Sequence, residues 1–136
     1  MDFSCVGTDS KGQYYMKYNK PFSFAERIQL LERSILVNSF AYYILDDNIL
    51  NDFQYDDNAK ELAELKKERP EDFKRSRYYE YFKDYCEDDN MVYTSGFDLL
   101  EKVRKADYDL YSRLHEDASM ALKLKYNMKE RRDAHV

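Results

Sequence analysis

The chain contains few of the residues that interrupt regular secondary structure: its 136 residues include only three glycines and two prolines. A β fold with many tight turns needs more of both, because glycine and proline supply the turn conformations. Their scarcity therefore predicts long helices. The charged fraction of 36% supports the same prediction, since helices with one solvated face are rich in charged residues.

Cysteine and histidine are also scarce. Cys5 and Cys86 are too few for a disulfide framework and do not have C-x-x-C spacing. Free thiols in a reducing cytoplasm are the expectation, and a single bridge is left open. His115 and His135 add no pair at the spacing of zinc ligands. We therefore expect no metal site.

Long apolar runs are absent from the sequence. The longest apolar-leaning stretch, residues 35–45, is interrupted by Asn38 and Ser39. It is shorter than the run of about 20 residues that crosses a bilayer. The opening residues, MDFSCVGTDSKG, have neither the basic nor the apolar region of a signal peptide. We expect no membrane association and a location in the cytoplasm of a bacterial host cell.

Apolar periodicity predicts a mainly α fold. A helix is predicted from Phe24 to about Leu45, because apolar residues recur at steps of three and four on two of its faces. A helix that is apolar on two sides lies at the centre of a fold. Ser23 and Glu26 have the spacing of a capping box at its start.

A helical hairpin and further helices follow from the next segments. DDNILND predicts a turn, because Asn and Asp side chains bond to nearby backbone. A second helix is capped by Asn51 or Asp52 and ended by Pro70. Helices are also expected within residues 71–85 and beyond residue 97, where Asp107 either restarts the last helix or lies inside it. All are expected to form one small bundle over residues 23–136.

The remaining segments give less definite predictions. Residues 1–22 are predicted as an extended or hairpin segment, in which DFSCV and QYYMKY either pair as short strands or stay unpaired. The segment EDDNMVYTSG predicts a loop, with Thr94 or Ser95 as the cap of the next helix. Inward-facing positions of the last two helices are predicted to include Phe97, Leu100, Val103, Tyr108, Tyr111, Leu114 or His115, Ala118, Leu122 and Met128.

Charge is distributed unevenly. The net charge of −5 argues against direct nucleic-acid binding. Residues 34–59 contain no Lys or Arg, although they contain five aspartates: Asp46, Asp47, Asp52, Asp56 and Asp57. A second acidic zone contains Glu87, Asp88 and Asp89. A basic zone, residues 66–77, lies between the two.

The stretch AYYILDDNILNDFQYDD has the pattern YY-x-x-D-x-x-x-x-x-D-x-x-YD, and the chain continues through a helix to ERPE. This pattern resembles the N-terminal Ia domain of the NAD-dependent bacterial DNA ligases over about residues 28–71. The resemblance implies two helices joined by this turn, which hold the nicotinamide mononucleotide (NMN) half of NAD.

Each residue of the pattern has an implied role. Tyr42 and Tyr55 look like the two tyrosines that enclose the nicotinamide ring, and Asp52 and Asp56 look like the carboxylates around the ribose and the ring. Tyr43 stands where many of these ligases have a histidine near the phosphate. The chemistry is consistent, because a cationic ring suits aromatic faces and carboxylates.

The sequence also departs from the ligases. It contains no Lys-x-Asp-Gly nucleophile motif, and the nearest string, KADY at Lys105, lacks the glycine. The oligonucleotide-binding, zinc-finger and helix–hairpin–helix modules of a ligase cannot fit in 136 residues. We therefore expect no ligation by this chain alone and no other catalytic residues. In this respect it is similar to small ligase-related proteins of phages and prophages.

The same residues have a purely structural explanation. Asp52 could cap a helix and Asp56 could complement the positive end of that helix. Tyr42 and Tyr55 could be core residues. The structural and the ligand-binding explanations stay open at the level of the sequence.

Two functions follow from these observations. The first is a non-catalytic, phage-type binding module whose acidic, Tyr-rich surface occupies a protein partner. A host nucleic-acid enzyme is one candidate partner, and an anti-defence or anti-CRISPR role is one concrete form. The residues of this surface are Asp46, Asp47, Asp57, Glu87, Asp88 and Asp89. The alternative is a nicotinamide-nucleotide binder that senses or sequesters NAD or NMN, or that complements an adenylation domain.

Overall fold

A computed structural model describes residues 14–17, 20–85, 87–88, 91–92 and 96–134, with side chains for 23–85 and 96–130. Helices dominate these residues, so the predicted mainly α fold is confirmed. The helices are α1 (Phe24–Tyr43), α2 (Asp52–Glu68), α3 (Pro70–Lys74), α4 (Tyr79–Phe82), α5 (Gly96–Ala106) and α6 (Tyr108–Ala134). Within the described part of the chain, no helix combines the length and apolar character that a membrane span requires.

Two short antiparallel strand pairs accompany the helices. Strand β1 (Tyr14–Lys17) pairs with β2 (Lys20–Ser23), which leads directly into α1. Four residues of the predicted strand QYYMKY, Tyr14–Lys17, therefore form a strand, but their partner is KPFS, and DFSCV lies outside the described residues. Strands β3 (Glu87–Asp88) and β4 (Met91–Val92) also pair, in a segment predicted as a loop. Thr94 and Ser95, the predicted caps of α5, lie outside the described residues, as do Cys5, Cys86 and His135.

Helix α1 is the centre of the fold, as its two apolar faces predict. It begins where predicted, because the Ser23 side chain accepts a hydrogen bond from the Glu26 backbone N–H at 3.1 Å. It ends at Tyr43, two residues before the predicted end. Helices α2, α3, α5 and α6 all contact it. Its buried apolar residues are Phe24, Ile28, Leu31, Ile35, Leu36, Phe40 and Ala41.

Helix α2 begins with a complete capping box. Asn51 Oδ1 accepts the Gln54 backbone N–H at 2.9 Å, and Gln54 Oε1 accepts the Asn51 backbone N–H at 3.1 Å. Asn51, rather than Asp52, is therefore the cap. Arg27 of α1 binds Glu61 of α2 through two nitrogen–oxygen contacts of 2.6 Å each. This bidentate pair, together with buried Ala59, Leu62 and Leu65, holds the hairpin closed.

Most of the predicted inward-facing positions of the C-terminal helices are confirmed, because Leu100, Val103, Leu114, Ala118 and Leu122 are buried. A new helix, α6, begins after Asp107, as one of the two predicted alternatives states. Asp107 caps this helix, because its Oδ1 accepts the Leu110 backbone N–H at 3.0 Å. Phe97, predicted to face inward, is exposed, and Leu99 is buried beside Leu100 and Val103 instead. On α6 the buried residues are Leu110, Leu114, Ala118 and Leu122, whereas Tyr108, His115 and Met128 are exposed. The apolar spacing continues along α6 beyond the helices against which it could pack.

A buried carboxyl group joins α1 to the turn between α3 and α4. Glu32 is fully buried, and its Oε1 accepts a hydrogen bond from Ser76 Oγ. Ser76 Oγ in turn accepts the Tyr78 backbone N–H at 3.2 Å. Glu32 Oε2 has no hydrogen-bond partner among the described residues. Burial raises the pKa of Glu32 to about 7, against the opposing effects of Ser76 and of the Lys66 charge.

The raised pKa of Glu32 predicts a pH-dependent stability. The folded state favours the protonated form of the Glu32 carboxyl. The stability that this protonated group contributes is therefore fully present below the ordinary pKa of 4.5 and is lost as the pH rises through about 7. Between pH 5 and pH 8 the free energy of unfolding of the wild type should fall by about 2–3 kcal/mol relative to Glu32→Gln, which has no ionisable group there. Urea denaturation at a series of pH values measures this difference.

The control for this experiment is Glu64→Gln, a matched change on the exposed face of α2. It should reproduce the pH profile of the wild type. Parallel profiles for the wild type and Glu32→Gln would contradict the prediction.

Candidate ligand-binding site

The end of α1 and the beginning of α2 meet at one end of the helical hairpin. The chain reverses there through backbone bonds from Leu45 N–H to Phe40 O at 3.2 Å and from Asp47 N–H to Ala41 O at 3.0 Å. Asp46 has a φ of 55°, a left-handed conformation that aspartate tolerates better than most residues. The turn places the pair Tyr42 and Tyr43 at the same end of the hairpin as the first turns of α2.

The tyrosines at the end of α1 are exposed. Tyr42 is 58% exposed and Tyr43 is 45% exposed. Their rings meet edge to face at 4.9 Å, and Tyr43 meets Phe97 of α5 in the same way at 6.0 Å. The explanation of Tyr42 as a core residue is therefore wrong. Exposed aromatic rings at the end of a rigid helix can stack on a planar ligand.

Tyr55 of α2 differs from this exposed pair. Its ring packs against the core, and its hydroxyl oxygen lies 3.4 Å from Ser39 Oγ, one turn of α1 before Tyr43. Either oxygen can donate in this contact. Asp52 and Asp56 are exposed, and Asp52 neighbours both Tyr55 and Asp56 on the surface of α2, because residues three and four apart are adjacent on a helix. The structure therefore brings Tyr55 to the hairpin end, but with only part of its ring accessible.

The predicted acidic surface is partly present. Asp46, Asp56 and Asp57 are exposed, and none of them forms an ion pair with another described residue. Glu87 and Asp88 lie in β3, where only the backbone is described, and Asp89 lies outside the described residues. Three of the six predicted surface residues therefore have no side-chain position here.

Asp47 is engaged within the chain. It accepts hydrogen bonds from the Tyr126 hydroxyl and, at 2.7 Å, from the Asn48 backbone N–H. The Tyr126 bond, more than the Asn48 bond and the charge of Lys125, holds the pKa of Asp47 below its ordinary value. Lys125 Nζ also donates to the Asn48 carbonyl oxygen. Helix α6 thus holds the turn between α1 and α2 in place.

Sequence reasoning missed the residues that support this site. Ser39 is a small polar residue in the most apolar part of α1, which is the sequence feature that could have indicated a specific contact. Tyr126 and Lys125 lie 79 and 77 residues from their partners, and no local pattern indicates such pairs.

The clamp between α6 and the turn consists of the contacts of Tyr126 with Asp47 and of Lys125 with Asn48, and it can be tested by removing one contact. Tyr126→Phe removes the hydroxyl that binds Asp47, so the pKa of Asp47 should rise towards its ordinary value. Amide hydrogens of residues 47–50 should also exchange faster, because the turn loses one of its two contacts with α6. Both effects are measurable by NMR. Tyr108→Phe, an exposed tyrosine on the same helix, is the control, and equal exchange in the two variants would contradict the proposed clamp.

Comparison with known proteins confirms the resemblance at the hairpin. Residues 21–76 match the family model for the DNA ligase-like, N-terminal NAD+-binding domain. A DNA ligase of Petrotoga mobilis is 41% identical over 51 residues, which are 38% of this chain and 8% of that protein. No solved structure matches the chain. The segment that contains the helical hairpin is thus similar to the N-terminal NAD+-binding domain of a DNA ligase.

Proposed function

We propose that the chain is a non-catalytic module that binds the NMN half of a nicotinamide dinucleotide at the end of the α1–α2 hairpin. One coincidence supports this proposal most directly. The segment that matches a ligase NAD+-binding domain, residues 21–76, also contains the exposed candidate residues Tyr42, Tyr43, Asp52 and Asp56. Tyr42, Tyr43, Asp52, Tyr55 and Asp56 are the proposed ligand-binding residues.

The charge of this region fits a cationic ring. Residues 34–59 contribute five aspartates and no cation, so the charge that this segment places around Tyr42 and Tyr55 is negative. The pyridinium ring of oxidised nicotinamide carries a positive charge, which aromatic faces and carboxylates both attract. Exposed Asp52 and Asp56 can accept hydrogen bonds from the ribose hydroxyls.

The proposed role does not include chemistry. The 136 residues contain no Lys-x-Asp-Gly motif that could supply a nucleophilic lysine. A bound nucleotide would therefore be sensed or sequestered, or presented to an adenylation domain on another chain. The matched segment is too small a part of the Petrotoga ligase to carry that protein's activity to this chain.

Calorimetric titration with NMN and NAD tests the proposal. The wild type should bind at micromolar to low millimolar concentration, and Tyr42→Ala should weaken binding about ten-fold, because a stacked cationic ring loses roughly 1–2 kcal/mol with one aromatic face. The fold should survive, since Tyr42 is mostly exposed. Tyr108→Ala removes an equally exposed tyrosine far along the chain and should leave affinity unchanged. An absence of binding by the wild type up to millimolar ligand would contradict the proposal.

A second candidate function is supported by a different observation. Asp46, Asp56 and Asp57 are exposed and have no ion pair within the described residues, so their carboxylates are available to a basic partner. Phe53, between Asp52 and Asp56, is 83% exposed, and aromatic residues are enriched at protein–protein interfaces. Under this hypothesis the chain is a phage-type inhibitor that occupies the basic cleft of a host nucleic-acid enzyme, as an anti-defence or anti-CRISPR protein would.

Charge neutralisation tests the second function. The double variant Asp46→Asn, Asp57→Asn should bind a captured basic partner more weakly than the wild type, and its affinity should depend less steeply on salt. The variant Glu64→Gln, Glu116→Gln removes the same charge from exposed positions elsewhere and is the matched control. Equal affinity and salt dependence in both double variants would exclude this surface as the binding site.

A further inference from the structure

Helix α5 approaches α1 more closely than any side chain at its first residue would allow. Gly96 is buried, and a Cβ atom placed on it would lie 2.6 Å from Ser39 Oγ and 3.0 Å from Tyr43 Cε2. A Cβ contact of 2.6 Å does not occur in folded proteins, so a side chain at residue 96 would displace the Ser39 hydroxyl, and the 3.0 Å contact would press on the Tyr43 ring. The absence of a side chain at Gly96 therefore leaves the space that Ser39 Oγ and the edge of the Tyr43 ring occupy.

The contact continues from α1 to α2. Ser39 is 1% exposed, and its Oγ lies 3.4 Å from the Tyr55 hydroxyl oxygen. The residue after Gly96, Phe97, meets the Tyr43 ring edge to face at 6.0 Å and is 45% exposed. The first turn of α5 is thus connected to Tyr43 directly and to Tyr55 through Ser39.

We propose that the first turn of α5 completes the candidate ligand site. Gly96 and Ser39 are positioning residues that hold the rings of Tyr43 and Tyr55, and Phe97 adds a third exposed aromatic ring beside Tyr42 and Tyr43. This turn lies outside residues 21–76, so the ligase-like segment does not contain it. The inference rests on the proposed function, since it concerns the same ligand.

Two readouts separate the failure of this inference from the failure of the proposed function. The first is the set of tyrosine ring resonances in the ligand-free protein, assigned through Tyr43→Phe and Tyr55→Phe. Gly96→Ala should shift the resonances of Tyr43 and Tyr55 and leave that of buried Tyr78, which lies on another side of α1 against Arg33, unchanged. This measurement needs no ligand.

The second readout is affinity for NMN. Gly96→Ala should bind NMN about ten-fold or more weakly than the wild type does. The reason is that the displaced side chains no longer present the arrangement that the ligand requires. Ser39→Ala should weaken binding as well. In the Ser39→Ala background the Gly96→Ala change should have a smaller effect, because both act through the same oxygen atom.

Ser39→Ala only removes an atom, so it remains informative if Gly96→Ala does not fold. Unshifted Tyr43 and Tyr55 resonances in both variants would overturn the inference. NMN binding that is unchanged in both variants would also overturn it, while leaving the proposed function intact. If the wild type itself does not bind NMN, the proposed function fails, and the resonances alone decide whether α5 positions these tyrosines.

Discussion

The enclosure of α1 is the constraint on which the rest of the structure depends. Four other helices contact it, and its apolar residues are buried on more than one face. The C-terminal end of this helix carries exposed Tyr42 and Tyr43. The exposed aromatic rings therefore stand at the end of the helix that the other helices surround. A packed helix that holds these rings in place would reduce the ordering that ligand binding requires.

Two buried polar residues of α1 connect this central helix to the elements around it. Glu32 binds Ser76 in the turn between α3 and α4, and Ser39 lies between Tyr55 of α2 and Gly96 of α5. Buried polar groups need specific partners, so each contact selects one arrangement of the surrounding helices. The hairpin end is additionally held by α6 through Tyr126 and Lys125. Elements outside the ligase-like segment thus shape the site that this segment presents.

Local patterns predicted the elements more reliably than their rotations and partners. The start of α1 at Phe24 and the cap at Asn51 follow from short-range chemistry and are confirmed. Phe97 and Leu99 both continue an apolar spacing with Val103, so periodicity alone could not decide which of them is buried. Glu32 and Ser39 are polar, and pattern reasoning assigns polar residues to the surface. Their burial depends on partners up to 57 residues away in the chain, such as Gly96 for Ser39.

In the proposed function, the hairpin end holds a nicotinamide ring between two tyrosines. The most direct test is the nuclear Overhauser effect between the nicotinamide protons of NMN and assigned tyrosine rings. We expect contacts from the nicotinamide protons to the rings of Tyr42 and Tyr55. Contacts only to an exposed ring outside the hairpin, such as Tyr108, or none to any tyrosine at saturating ligand, would contradict this arrangement.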